Sequence, residues 1–118
     1  MKKATVLIQE SDPDIRFVLK LALEAEQFTV FAIPLPEDIM NEIQNVKPNV
    51  VTMDYILTGE PCREACSQVK LRYPDLPVIV FSCNSDIRNI YRKYGFDDYI
   101  EKPFSIDRLY GVISRYIR

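Results

Sequence analysis

The sequence predicts an α/β fold in which a parallel five-stranded sheet is covered by helices on both faces. Two patterns along the 118 residues support this prediction. Short apolar runs typical of buried strands alternate with segments whose apolar residues recur at helical spacing. Polar residues, Gly or Pro separate the two kinds of segment. This alternation is typical of βα units that build a parallel sheet between two helical layers.

The first two strands are predicted over residues 4–9 and 28–33, where apolar side chains dominate. A helix lies between them. Asp12 is a favourable N-cap and Pro13 suits the first helical position, so the helix begins there. Its apolar stripe comprises Ile15, Val18, Leu19, Ala22 and Ala25.

The middle of the chain repeats this order. Pro34 and Pro36 end the second strand before a helix over residues 37–46, whose apolar stripe is Ile39, Ile43 and Val46. Residues 49–53 form the third strand, which ends directly at Asp54. A turn at residues 59–61 then leads into a helix that continues through Tyr73.

The last third supplies two more units. Residues 77–81 form a continuous apolar strand, as expected for a parallel strand buried on both faces, and it ends at Ser82. A fourth helix carries Ile87, Ile90, Tyr91 and Tyr94, and Gly95 closes it because glycine favours the left-handed C-terminal cap. Residues 98–101 are the fifth strand, and Ser105 caps the last helix. Right-handed crossovers then favour a flavodoxin-like three-layer sandwich with strand order 2-1-3-4-5.

Polar side chains with related chemistry follow four of the strands. They are Glu10, Ser11 and Asp12 after the first, Asp54 after the third, Ser82 after the fourth and Lys102 after the fifth. Ligands bind at this edge of an open α/β sheet. Carboxylates, a hydroxyl and a lysine together suit phosphoryl transfer, with Asp54 as nucleophile and a divalent cation and Lys102 neutralising phosphoryl oxygens.

Four segments carry a resemblance to a known family. They are VLIQESDPDIR at 6–16, VVTMD at 50–54, PVIVFS at 77–82 and GFDDYIEKPF at 95–104. In this order and spacing they resemble the response-regulator receiver family over residues 5–117. We therefore expect one receiver domain over residues 1–118.

The resemblance implies a phosphorylation switch. A histidine kinase or phosphotransfer protein would phosphorylate Asp54, Lys102 and Ser82 would bind the phosphoryl group, and the ring of Tyr99 would move inward. The surface of the fourth helix, fifth strand and fifth helix would then change its partners, and we hypothesise a homodimer through it. The domain would be a phosphoacceptor rather than an enzyme, able to phosphorylate itself from small acyl phosphates. The resemblance also allows a cis bond between Lys102 and Pro103, since X-Pro bonds adopt cis at modest cost.

The magnesium site departs from the family pattern. The resemblance assigns Mg²⁺ to Glu10, Asp54 and the backbone carbonyl of Ile56, whereas Ser11 stands where the family has a second acidic ligand. A neutral hydroxyl is a poorer ligand for a hard cation, so we expect weak Mg²⁺ binding. The loop at residues 58–61 and the shortened segment between Ser82 and Lys102 also differ from the family pattern.

Composition excludes several other classes of protein. A net charge of -2 gives no basic field for nucleic acid, and the apolar run near the N-terminus is too short for a signal peptide or membrane span, so we expect a cytoplasmic protein. The chain has no histidine, which excludes His-based sites. The cysteines Cys62, Cys66 and Cys83 lack CxxC spacing and are interpreted as free thiols.

Two other functions stay open at this point. Ser11 favours a degenerate receiver that acts as a phosphorylation-independent interaction module. A flavin- or nucleotide-binding enzyme is less consistent with the sequence, because no Gly-rich phosphate loop follows the first strand.

Overall fold

The computed structural model describes residues 4–117, and over that range the chain alternates strands and helices. The elements are β1 (Thr5–Gln9), α1 (Pro13–Ala25), β2 (Thr29–Ile33), a 3-10 turn (Pro36–Asp38), α2 (Ile39–Val46), β3 (Val50–Tyr55), α3 (Glu60–Arg72), β4 (Val78–Ser82), α4 (Ile87–Ile90), β5 (Asp98–Glu101) and α5 (Ile106–Ser114). The strands form a parallel sheet of order β2-β1-β3-β4-β5. The predicted flavodoxin-like topology is therefore confirmed.

The sheet separates two apolar cores. One core packs Leu7, Val51 and Val80 against α2, α3 and the segment of α4, and the other packs Val6 and Ile79 against α1 and α5. Successive residues of a strand point to opposite faces, so a strand covered on both faces must be apolar at nearly every position. This requirement explains the uninterrupted apolar runs in the sequence.

Helix α1 begins as predicted, and its packed face agrees in part with the predicted stripe, since Ile15, Leu19 and Ala22 all contact the core. Asp12 Oδ1 accepts hydrogen bonds from the backbone N–H groups of Asp14 and Ile15, at 2.8 and 3.1 Å. The buried positions are Leu19 and Leu23, whereas Val18 is 53% exposed; Ala25 is also exposed. Residues four apart share a helix face, so Leu19 and Leu23 form the centre of the stripe and Val18 lies at its margin.

Several other element boundaries also differ from the prediction, including the start of α2, which follows a 3-10 turn and begins at Ile39. Strand β3 includes Asp54, because Asp54 and Tyr55 continue the pairing with Phe81 and Ser82 of β4. Helix α4 is only four residues long and continues as turns up to Gly95, whose φ of 90° is left-handed as predicted.

Helix α5 and the bond before it agree with the prediction. Ser105 caps α5 by accepting a hydrogen bond from the N–H of Arg108 at 3.1 Å, and the Lys102-Pro103 bond is cis. Leu109 and Ile113 are buried, while Tyr110 is 41% exposed. The sheet therefore covers only part of the apolar surface of α5, since Ile106 is also 48% exposed.

The amino edge of the sheet is closed by a lysine and a carboxylate. Lys70 Nζ on α3 donates to Asp97 Oδ2 and to the carbonyl of Leu76, both at 2.9 Å. Asp97 Oδ2 also accepts the N–H of Val78 at 2.8 Å. This cluster joins α3 to the starts of β4 and β5.

The cysteines are free thiols in contrasting environments. Cys62 and Cys66 lie on the buried face of α3, and burial raises the pKa of both thiols, that of Cys66 to about 12. Cys83 is exposed just beyond β4. Among residues 4–117, no helix has the length and apolar character needed to cross a membrane.

Candidate functional site

Asp54 lies near the end of β3 with both carboxylate oxygens hydrogen-bonded. Oδ1 accepts from Lys102 Nζ at 2.9 Å, and Oδ2 accepts from the hydroxyl of Ser11 at 3.0 Å. The side chain is 7% exposed. The nucleophile predicted from the sequence is thus a shielded carboxylate close to the surface of the carboxyl edge.

Lys102 lies between two carboxylates. Its Nζ also donates to Glu10 Oε1 at 2.9 Å, and the Glu10 side chain is 2% exposed. The other Glu10 oxygen, Oε2, accepts the N–H of Asp12 at 3.1 Å. Because β1, β3 and β5 are parallel, their carboxyl ends bring these distant residues together at one edge of the sheet.

The pKa values of this cluster are shifted by burial and by the ion pairs. Burial raises the pKa of Glu10, and the bond from Lys102 opposes this shift. Burial lowers the pKa of Lys102, but its bonds to Asp54 and Glu10 outweigh that effect, so the pKa lies above its usual value. Lys102 therefore stays a cation at neutral pH.

The oxygen atoms of this edge fit a magnesium ion with few protein ligands. Mg²⁺ is commonly held by one or two carboxylates, several waters and the phosphate of the substrate. Glu10 and Asp54 supply two carboxylates, and Ser11 is hydrogen-bonded to Asp54 rather than supplying a third. No cluster of three or more acidic, Cys or His ligands occurs in the part of the chain that the structure describes. The donor set fits the ion, but with fewer charges than a three-carboxylate site.

The remaining predicted site residues flank this cluster. The Ile56 carbonyl accepts the N–H of Gly59 at 2.8 Å, which leaves its second lone pair for a ligand. The Ser82 hydroxyl is buried and accepts the N–H of Asn84 at 3.0 Å. Within residues 4–117, no hydrogen bond joins the Ser82 hydroxyl to Asp54 or Lys102, so the structure does not bring that hydroxyl into the ion-pair cluster.

Tyr99 lies on β5 against the segment that follows α4. Its ring packs on Tyr91 with the ring centroids 4.9 Å apart. Both residues are partly buried against the core on the α3 side. The predicted switch aromatic is therefore in contact with the α4 segment and not with the carboxylate cluster.

Gln9 contacts the site and was not predicted to do so. Its side chain is buried and its Oε1 accepts the N–H of Asp54 at 3.0 Å. The sequence does carry a signal, because an amide at the end of an otherwise apolar buried strand needs hydrogen-bond partners. Nothing in the sequence indicates which partners those are.

Comparison with known proteins decides the family. The profile described as "Response regulator receiver domain" matches residues 6–114 of this chain. The chain belongs to the response regulator receiver domain family. Receiver domains are signalling domains of two-component systems, and the comparisons do not favour a phosphorylation-independent module.

Relatives and solved structures agree with this assignment. The chain is 31% identical over 120 residues to the DNA-binding transcriptional regulator NtrC of Proteus hauseri and 29% identical over 119 residues to that of Escherichia coli K12. Each alignment covers 99% of this chain and 25% of the relative, so the receiver spans a quarter of these curated relatives.

Among solved structures, the apo receiver domain of nitrogen regulatory protein C has a TM-score of 0.85 at 29% identity, covering 99% of this chain and 96% of that chain. The response regulator TrrA of Thermotoga maritima, in complex with Mg²⁺ and BeF, has a TM-score of 0.86 at 20% identity, covering 97% and 99%. At that identity, the second likeness supports the fold alone.

Proposed function

We propose that this receiver accepts a phosphoryl group on Asp54 from a sensor histidine kinase or a histidine phosphotransfer protein. The observation that carries the proposal is the contact between the shielded Asp54 carboxylate and the Lys102 ammonium at the carboxyl edge of the sheet. An ion pair that only stabilised the fold could lie anywhere in it. Here it lies where ligands of α/β sheets bind.

The transfer is a substitution at phosphorus. An Asp54 oxygen attacks the phosphoryl group, the bond from phosphorus to the donor's imidazole nitrogen breaks, and the nitrogen keeps the electron pair. An aspartyl phosphate and a free histidine side chain result. With a small acyl phosphate, the bond that breaks is the P–O bond and the leaving group is a carboxylate, so we propose self-phosphorylation by the same substitution.

Lys102 and Ser82 bind the phosphoryl oxygens in this proposal. Lys102 keeps its bond to Glu10 and exchanges the bond to Asp54 for one to a phosphoryl oxygen, which places a cation where negative charge accumulates. The Ser82 hydroxyl leaves Asn84 and donates to another phosphoryl oxygen. The ring of Tyr99 then moves inward along its contact with Tyr91.

Glu10, Asp54 and the Ile56 carbonyl would hold Mg²⁺, and Ser11 contributes at most a neutral ligand. When bound, the ion supplies positive charge to the phosphoryl oxygens. Because one carboxylate is replaced by Ser11, we expect weaker affinity than in a site with three carboxylates. A cytoplasmic location stays a prediction.

The test is the intact mass of the protein after incubation with acetyl phosphate and Mg²⁺. A phosphoryl adduct on the parent and none on Asp54→Asn is the expected result, because the amide removes the nucleophile and preserves the shape of the side chain. Light scattering of the same samples tests the proposed homodimer through α4, β5 and α5, which predicts a higher mass only for the phosphorylated parent. A folded parent without an adduct would contradict the proposal and favour the phosphorylation-independent module.

A further inference from the structure

Gln9 is a buried carboxamide at the end of an apolar strand. Its relative exposure is 1%, and the residues before it on β1, Val6 to Ile8, are buried and apolar. Burying an amide without hydrogen bonds costs free energy, so the Gln9 side chain is expected to have hydrogen-bond partners. Those partners belong to two other segments at the carboxyl edge of the sheet.

The side chain bridges the end of β3 and the segment after β2. Oε1 accepts the backbone N–H of Asp54 at 3.0 Å, and Nε2 donates to the carbonyl of Pro34 at 3.0 Å. A backbone N–H can only donate and a carbonyl can only accept, so this is the one orientation of the carboxamide that satisfies both groups. The bridge is therefore directional and spans three neighbouring strands.

The first of these bonds acts on the residue that carries the proposed nucleophile. The Asp54 carboxylate is held by Lys102 at Oδ1 and by Ser11 at Oδ2, but these bonds must change when the phosphoryl group arrives. The bond from the Asp54 N–H to Gln9 involves no reacting atom and can persist throughout. A misplacement of about 1 Å in reacting groups can lower a rate about 100-fold, so an anchor of this kind matters for the reaction.

We infer that Gln9 is a positioning residue for Asp54, which fixes the backbone of the phosphoacceptor while the carboxylate exchanges its partners. The inference rests on the proposed phosphorylation of Asp54. Gln9 touches neither the phosphoryl group nor the donor, so it acts only through Asp54. Its second bond, to Pro34, holds the carboxamide in the orientation that the first bond needs.

The test compares Gln9→Met with Lys70→Met. Methionine keeps the length of glutamine but removes both hydrogen bonds, whereas Lys70→Met removes bonds at the opposite edge of the sheet and serves as the control for general destabilisation. Adduct formation is followed by intact mass at a series of acetyl phosphate concentrations and saturating Mg²⁺, at a temperature where circular dichroism shows all proteins folded. The maximal rate and the half-saturating concentration are compared.

We expect Gln9→Met to lower the maximal rate at least tenfold with a half-saturating concentration within about twofold of the parent, while Lys70→Met changes neither by more than about twofold. If Gln9→Met does not fold, Gln9→Asn replaces it, since its shorter carboxamide cannot reach both partners. Equal maximal rates in the parent and the Gln9 variant would overturn the inference alone. A parent without an adduct would overturn both the inference and the proposed function.

Discussion

Lysine–carboxylate clusters lie at both edges of the sheet, and they differ in what the lysine holds. At the amino edge, Lys70 bonds one carboxylate and one backbone carbonyl, and Asp97 in turn accepts a backbone N–H. At the carboxyl edge, Lys102 Nζ bonds the two carboxylates of Glu10 and Asp54. The first cluster ties backbone segments together, whereas the second joins side chains that can exchange partners.

This difference separates a structural ion pair from a candidate reactive one. Lys70 bonds a backbone carbonyl and a carboxylate that itself accepts a backbone N–H, so the release of Lys70 would loosen the segments that it joins. Lys102 can release Asp54 to a phosphoryl oxygen and stay bonded to Glu10. Burial also distinguishes them, because the side chains of Lys70 and Asp97 are 22% and 34% exposed while that of Glu10 is 2% exposed.

The largest difference between the two clusters is expected in the rate of phosphorylation when Lys102 is replaced in the variant Lys102→Met. Loss of one preorganised donor to developing charge commonly lowers a rate about 100- to 1000-fold, so adduct formation should fall by that factor. The rate of mass increase with acetyl phosphate at fixed Mg²⁺ measures it. Lys70→Met is the matched control, and a loss of similar size in the control would erase the distinction.

Lys70→Met should lower stability without slowing phosphorylation. The change removes bonds to Leu76 and Asp97, and we expect the free energy of unfolding to fall by about 1–2 kcal/mol because both bonds involve a charged group and are partly exposed. Urea unfolding followed by circular dichroism measures this quantity. An unchanged midpoint would mean that the amino-edge cluster contributes nothing to stability.

Ser11→Asp should strengthen the carboxyl edge as an ion site. A third carboxylate adds ligand charge, so Mg²⁺ should bind at least about tenfold more tightly, as measured by calorimetry. Ser11→Ala is the control, since it removes the hydroxyl bond to Asp54 without adding charge. Equal affinities in Ser11→Asp and the parent would show that Ser11 is not the reason for weak binding.

Much of the fold followed from the sequence because buried parallel strands leave a plain apolar pattern. The five strands, the caps at Asp12 and Ser105 and the strand order were all predictable from local chemistry and the handedness of crossovers. The shortened α4 was not, because Tyr91 and Tyr94 fit the helical spacing and the turns that follow Ile90 depend on contacts with β5. The stripe of α1 was right at Ile15, Leu19 and Ala22. It included the exposed Val18 and missed the buried Leu23, since helical spacing alone does not identify which of two adjacent apolar residues faces the sheet.

The sequence predicted most of the residues that gather at the site, but it did not predict all of their hydrogen-bond partners. Parallel topology places Glu10, Asp54 and Lys102 at one edge, and the structure brings them within hydrogen-bonding distance. Ser82 and Gln9 show the limit of this reasoning. A serine hydroxyl near a loop has several possible hydrogen-bond partners, and in this structure Ser82 accepts the N–H of Asn84. The two bonds of Gln9 depend on how closely β3 and the segment after β2 approach β1.

The contrast among the three thiols makes this receiver suitable for chemical labelling without mutation. Cys83 is exposed and lines a groove that also contains Lys102 and Phe104, whereas Cys62 and Cys66 are buried and have raised pKa values. A maleimide dye added to the native protein should therefore attach at Cys83 alone. The dye would lie beside the carboxyl edge and give an optical signal that reports on occupancy of the groove in real time.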